Sequence, residues 1–156
     1  MNNACPAPPR REEASEHLAP AVLLVDDSPH VLRGATSFLR ALGVTVVGTF
    51  EDATMALAQV RGLAPDVALV DLRMPGLPGL EAIPRLREMM PNLGIVAMSL
   101  TPVYRRAAIA AGADEFIDKA ALATELLPAI RRAAGAAARR HQNSPPTPSG
   151  TEAPPC

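Results

Sequence analysis

The chain has few of the residues on which several classes of protein depend. Its two cysteines, Cys5 and Cys156, are too few for a disulfide framework or for the ligand set of a zinc site. No apolar run approaches the roughly 18 residues that a membrane span requires, and the N-terminal stretch lacks the apolar core of a signal peptide. We therefore expect a cytoplasmic protein with no membrane partner, in a compartment that keeps thiols reduced.

The chain also has almost no excess of charge of either sign. The formal net charge is -1, whereas modules that bind nucleic acid usually carry a clustered basic excess. We therefore expect no nucleic-acid partner. The apolar content of 48% is that of a globular core, and 156 residues suit one domain.

Proline separates a central region from two tails. Nine of the 17 prolines lie outside residues 21–140, among small and polar residues. Such segments bury too little apolar surface to offset chain entropy. We predict disordered tails over residues 1–18 and 141–156, with a low-affinity tether as the alternative, and a folded domain over residues 19–140.

Between the tails, short apolar runs alternate with helical patterns in five successive pairs. The runs are AVLLV, VTVVG, DVALV, GIVAM and EFI. They are apolar throughout rather than alternating, which is typical of parallel strands covered by helices on both faces. The pattern predicts an α/β fold with a doubly wound, five-stranded parallel sheet.

Local signals indicate where some helices begin and end. Ser28 can cap the first helix, Pro29 suits its first position, and Gly43 can end it. Pro84 falls inside the third helical pattern and should kink that helix or delay its start. Pro128 comes early in the fifth, where the first turn would tolerate it.

Polar residues follow four of the five apolar runs, at the edge where open parallel sheets bind ligands. They are Asp26 and Asp27 after the first run, Asp71 after the third, Ser99 after the fourth and Lys119 after the fifth. A single Asp or Ser after a strand is commonly only a turn or cap residue. Five such residues at one edge favour a binding site.

Lys119 is the only lysine in the chain, beside 14 arginines. A position that holds the sole lysine indicates a need for a compact ammonium rather than a planar guanidinium. Such an ammonium suits a single phosphoryl oxygen in a narrow pocket.

The carboxylates indicate a metal. Acids packed together raise one another's pKa unless a cation holds them, and hard oxygen ligands suit Mg²⁺. Asp71, on the central strand, is then the nucleophile toward phosphorus, and its product is an acyl phosphate. Lys119 and the metal would neutralise the phosphoryl oxygens, and Ser99 would bind one of them.

Four segments, VLLVDDS, VALVDLRMPGLPGLE, IVAMS and AGADEFIDKAAL, resemble the receiver domain of two-component response regulators. The resemblance covers about residues 20–135. It implies a flavodoxin-like strand order, 2-1-3-4-5. It also implies a signalling protein rather than an enzyme, one that accepts a phosphoryl group and carries out at most self-phosphorylation and autodephosphorylation.

The resemblance assigns a role to each site residue. These roles are phosphoacceptor for Asp71, magnesium ligands for Asp26, Asp27, Asp71 and the main-chain carbonyl of Arg73, switch hydroxyl for Ser99, phosphate contact for Lys119 and aromatic switch for Phe116. Phe116 would turn inward when Ser99 engages the phosphoryl group. An ordinary core residue is the alternative for Phe116.

The resemblance also implies partners. A sensor histidine kinase or a histidine phosphotransfer protein would supply the phosphoryl group, and a downstream protein would read the face of the fourth helix, fifth strand and fifth helix. That face includes Tyr104, Arg105 and Arg106. Only a short proline-rich tail follows the last helix, too little for a DNA-binding module, so we expect a stand-alone receiver.

Two residues depart from the family pattern, and two other readings stay open. Leu100, after the switch hydroxyl, is bulky and is predicted to crowd the pocket, while Arg73 offers no carboxylate to position a hydrolytic water. Leu100 keeps open a receiver-like interaction module that is not phosphorylated. A phosphatase of the haloacid dehalogenase type is less favoured, because its nucleophile lies in a D-x-D pattern on the first strand.

Overall fold

The computed structural model describes residues 19–145. The tail predicted over residues 1–18 lies outside the described residues, and so do residues 146–156. The last helix continues to Asn143. The predicted end of the domain at Arg140 is therefore three residues too early, and residues 141–143 are helical.

Within the described residues, five strands alternate with five α-helices. In chain order they are β1 (Ala21–Val25), α1 (Pro29–Ala41), β2 (Thr45–Phe50), α2 (Ala53–Leu63), β3 (Val67–Asp71), α3 (Gly79–Met89), β4 (Gly94–Ser99), α4 (Arg105–Ala111), β5 (Glu115–Asp118) and α5 (Leu122–Asn143). Short 3₁₀ turns, Pro102–Tyr104 and Lys119–Ala121, precede α4 and α5. In this part of the chain, every helix is too short or too polar to cross a bilayer.

All five strands pair in parallel, in the order β2-β1-β3-β4-β5. This confirms the predicted fold and strand order. Successive residues of β1 face opposite sides of the sheet: Leu23 and Val25 pack with α2, α3 and α4, while Val22 and Leu24 pack with α1 and α5. Because both faces are covered, the central strands β1, β3 and β4 are buried over almost their whole length, whereas the edge strand β2 has exposed Thr45 and Thr49.

The local helix signals are only partly confirmed. Ser28 Oγ accepts a hydrogen bond from Val31 N at 3.4 Å, Pro29 opens α1, and Gly43 follows its end with a φ of 77°. Helix α3 continues through Pro84. Pro128 is the seventh residue of α5 and lies in its second turn, because the residues before Leu122 form a 3₁₀ turn instead.

The far end of α5 is anchored to the domain by Arg140. Its guanidinium donates to both carboxylate oxygens of Asp114, at 2.6 and 3.1 Å, and to the carbonyls of Pro91 and Leu93. Asp114 also accepts from Arg87 of α3 at 3.0 Å. These contacts hold α5 against the domain at its predicted end, and one residue further His141 Nδ1 lies 3.2 Å from Asn92 Nδ2.

Gly79, the first residue of α3, lies directly against the end of β3. A Cβ at this position would overlap the carbonyl oxygen of Asp71 and lie 2.8 Å from Leu72 Cα. Both neighbours are backbone atoms, which cannot move aside as a flexible side chain can. Only glycine therefore lets α3 begin so close to Asp71.

We predict that Gly79→Ala lowers the free energy of unfolding by about 1–3 kcal/mol, the usual cost of overpacking. Urea unfolding followed by circular dichroism measures the change. Gly62→Ala is the matched control, because a Cβ there meets nothing within 4 Å and a helical alanine adds about 0.5–1 kcal/mol. Equal midpoints for the two variants would contradict the close approach.

Candidate functional site

The carboxyl edge of the sheet forms a concave pocket. Its lining residues are Asp26, Asp27, Ser28, Val31, Asp71, Arg73, Ser99, Leu100, Lys119 and Leu122. The resemblance assigns a site role to seven residues. Six of them line this pocket, and Phe116 is the exception. The pocket forms because β1, β3, β4 and β5 run parallel and end at the same edge.

Three carboxylates meet in the pocket. Asp26 is fully buried and Asp71 is 3% exposed, whereas Asp27 is exposed. Each offers one carboxylate oxygen, and these oxygens lie within 4.8 Å of one another. Such a cluster of hard oxygen ligands is what Mg²⁺ prefers.

Lys119 bridges the two buried carboxylates. Its Nζ lies 2.5 Å from Asp26 Oδ2 and 3.3 Å from Asp71 Oδ1, and its side chain is 12% exposed. This ion pair is the contact that the buried Asp26 Oδ2 makes among the described residues. The other oxygen, Asp26 Oδ1, accepts from Ser28 N at 2.9 Å.

Burial raises the pKa of Asp71 above its usual 3.8. The Lys119 ammonium opposes this rise, the Asp26 carboxylate adds to it, and the hydrogen bond from Arg73 N opposes it. That bond is long, at 3.4 Å. Desolvation is the largest cause, so ionisation of Asp71 lowers the stability of the fold.

The residues present fit a divalent cation. Three carboxylates face one ammonium, so a charge of about +2 would balance the pocket when all three are ionised. Among the described residues, the Lys119 ammonium is the partner of the buried Asp26 Oδ2, and it also serves Asp71. Asp26, Asp27 and Asp71 are thus chemically suited to Mg²⁺.

Ser99 is the neutral polar group of the pocket. It ends β4, is 1% exposed, and its Oγ accepts a hydrogen bond from Thr101 N at 3.1 Å. Because a hydroxyl can accept and donate at the same time, its proton remains available for an oxygen atom bound in the pocket.

Phe116 lies beneath the surface on β5, outside the pocket. It is 3% exposed and belongs to the apolar cluster between the sheet and α2, α3 and α4. The guanidinium of Arg105 lies over its ring, with Cζ 4.8 Å from the centroid. Sequence reasoning placed Arg105 only on the outer face and missed this contact, because the spacing of Arg105 and Phe116 carries no periodic signal.

Leu100 lies at the mouth of the pocket. It lines the pocket but is 72% exposed, so most of its side chain faces solvent. On the predicted outer face, Tyr104 is half-buried, while Arg105 and Arg106 are exposed.

Comparison with known proteins gives consistent matches. Residues 22–131 match the family model of the response regulator receiver domain. The chain is 40% identical over 148 residues to protein-glutamate methylesterase/protein-glutamine glutaminase 5 of Myxococcus xanthus (strain DK1622), over 85% of this chain and 42% of that protein. It is 36% identical over 113 residues to the response regulator GacA of Pseudomonas viridiflava, over 70% of this chain and 53% of that protein.

Solved structures show the same fold. The response regulator domain of Thermotoga maritima CheB superposes with a TM-score of 0.69 at 28% identity, over 75% of this chain and 97% of that one. The chain spans about half the length of the curated relatives described above.

We predict that Asp71→Asn stabilises the metal-free protein at neutral pH. A pKa raised in the folded state means that wild-type stability falls as pH rises through that pKa, and a neutral amide avoids this loss. In a chelating buffer, the variant should melt several degrees higher, since 1 kcal/mol corresponds to about 4 °C for a domain of this size.

The difference in melting temperature between Asp71→Asn and the wild type should decrease as pH falls through the raised pKa of Asp71. Glu51→Gln is the control, because it removes one negative charge from an exposed position. A pH-independent gap, or the same gap in Glu51→Gln, would contradict a destabilising buried carboxylate.

Proposed function

Since the chain belongs to the response regulator receiver domain family, we propose that it accepts a phosphoryl group on Asp71 from a phosphohistidine partner. It then signals through a surface that phosphorylation alters. The observation that supports this most is the bridge from Lys119, the only lysine, to Asp26 and Asp71. An ammonium shared by two buried carboxylates is suited to a phosphoryl oxygen.

In the transfer, a carboxylate oxygen of Asp71 attacks phosphorus. The new bond joins that oxygen to phosphorus, and the bond from phosphorus to the histidine nitrogen breaks with its electron pair left on nitrogen. The raised pKa of Asp71 makes its ionised form a stronger nucleophile. Lys119 pairs with one phosphoryl oxygen, and the Ser99 hydroxyl donates to another.

We assign the magnesium site to the same pocket. The carboxylates of Asp26, Asp27 and Asp71, with the main-chain carbonyl of Arg73, would hold the ion. When bound, Mg²⁺ supplies positive charge against the phosphoryl oxygens. The cluster of three carboxylates, which the single ammonium of Lys119 does not neutralise, supports this assignment.

The proposed partners are proteins of a two-component pathway in the cytoplasm. A sensor histidine kinase or a histidine phosphotransfer protein supplies the phosphoryl group. A downstream protein reads the face of α4, β5 and α5. The role proposed for the chain is that of a phosphoacceptor, because residues 22–131 match the receiver family and the chain spans only 42% of the similar methylesterase.

Incubation with acetyl phosphate and Mg²⁺, followed by intact mass, tests the proposal. We predict a lasting gain of one phosphoryl group in the wild type and none in Asp71→Ala, which lacks the nucleophile. Glu51→Gln, at an exposed acidic position, should gain the group normally.

Other outcomes of this experiment favour other functions. A gain in Asp71→Ala would contradict the assignment of the phosphoacceptor. Rapid turnover without an adduct would favour a phosphatase, and no reaction would favour an interaction module that is not phosphorylated.

We also predict that Leu100→Ala speeds both phosphorylation by small donors and loss of the phosphoryl group. The smaller side chain opens the pocket mouth to the donor and to the hydrolytic water. A tenfold change in either rate needs about 1.4 kcal/mol of barrier. Val103→Ala is the control, because Val103 is as exposed, at 76%, but does not line the pocket. Rates equal to those of Val103→Ala would show that Leu100 does not limit access.

A further inference from the structure

Arg105 makes two contacts with the residue assigned as the aromatic switch. Its Cζ lies 4.8 Å from the centroid of the Phe116 ring, and its Nη1 lies 3.5 Å from the Phe116 carbonyl oxygen. The residue is 3% exposed, so a cation covers one face of a buried aromatic ring. Arg106, the next residue, is also exposed, but no such contact involves it within residues 19–145.

The backbone joins Arg105 to the pocket by a short route. Ser99 ends β4 and its Oγ accepts from Thr101 N at 3.1 Å. The 3₁₀ turn Pro102–Tyr104 follows, and Arg105 is the first residue of α4 after it. A displacement of Ser99 toward a phosphoryl oxygen therefore moves the segment that ends at Arg105.

We propose that Arg105 is a positioning residue that holds Phe116 in its buried orientation before phosphorylation. This inference rests on the proposed function, in which Phe116 is the switch. A cation over a ring at an exposed position such as Arg105 favours one orientation by roughly two- to fivefold. The face of α4, β5 and α5 is then partly in its signalling conformation before phosphorylation. Arg105 determines how much further conformational change phosphorylation produces there.

Fluorine NMR of protein labelled with para-fluorophenylalanine tests this role. The chain has three phenylalanines, so Phe116→Leu identifies the Phe116 signal. The shift difference between light and heavy water reports the exposure of each ring. The variants are Arg105→Ala, Arg105→Lys and, as the control with the same loss of charge, Arg106→Ala. Each is measured alone and with beryllofluoride and Mg²⁺ as the phosphoryl mimic.

We expect Arg105→Ala alone to show an exposed population of Phe116 about two- to fivefold larger than in the wild type. Beryllofluoride with Mg²⁺ should return the ring to its buried signal. Arg106→Ala should match the wild type. Arg105→Lys should be intermediate, because an ammonium keeps the charge but loses the planar stacking, and this variant preserves the test if the alanine variant does not fold.

Two results would overturn the inference, and they are distinguishable. In one, Arg105→Ala and Arg106→Ala give the same Phe116 signal while Asp71 still gains a phosphoryl group by intact mass; this removes the role of Arg105 alone. In the other, Phe116 in Arg105→Ala does not respond to beryllofluoride and Asp71 gains no phosphoryl group. That result overturns the proposed function and the inference together.

Discussion

The crowding of carboxylates at the carboxyl edge of the sheet is the constraint on which the rest of the structure depends. Asp26 and Asp71 are buried and share the single ammonium of Lys119. One positive charge does not balance two buried negative charges and an exposed third, and burial, more than the neighbouring charges, raises the pKa of Asp71. A pocket with this excess of negative charge is suited to a divalent cation.

The fold offsets this cost by fixing the backbone around the carboxylates. β3 is buried over its whole length, and Gly79 lets α3 begin against the carbonyl of Asp71. Ser28 N and Arg73 N each donate to one of the buried carboxylates. Main-chain groups that directly follow β1 and β3 therefore help to hold the charged side chains close despite their repulsion.

The sequence predicted much of this arrangement because its signals were local. Continuous apolar runs identify strands that are covered on both faces, and the residues after them must meet at one edge of a parallel sheet. Long-range contacts were not predictable in the same way. The end of α5 depends on Arg140 reaching Asp114, and the contact of Arg105 with Phe116 joins α4 to β5 across the apolar cluster. Neither pair has a periodic spacing, so only the folded chain brings its members together.

The segment from Ser99 to Asp114 is held unequally at its two ends. At its far end, Asp114 is fixed by Arg87 of α3 and Arg140 of α5, with side chains 23% and 33% exposed, and by Ile95 N at 2.8 Å. At its near end, Leu100 and Val103 face solvent. Among the described residues, the ion pairs of this segment are those of Asp114 at the far end. A movement that begins at Ser99 should therefore pivot about the fixed end, so that the start of α4 moves most, and that is where Arg105 covers Phe116.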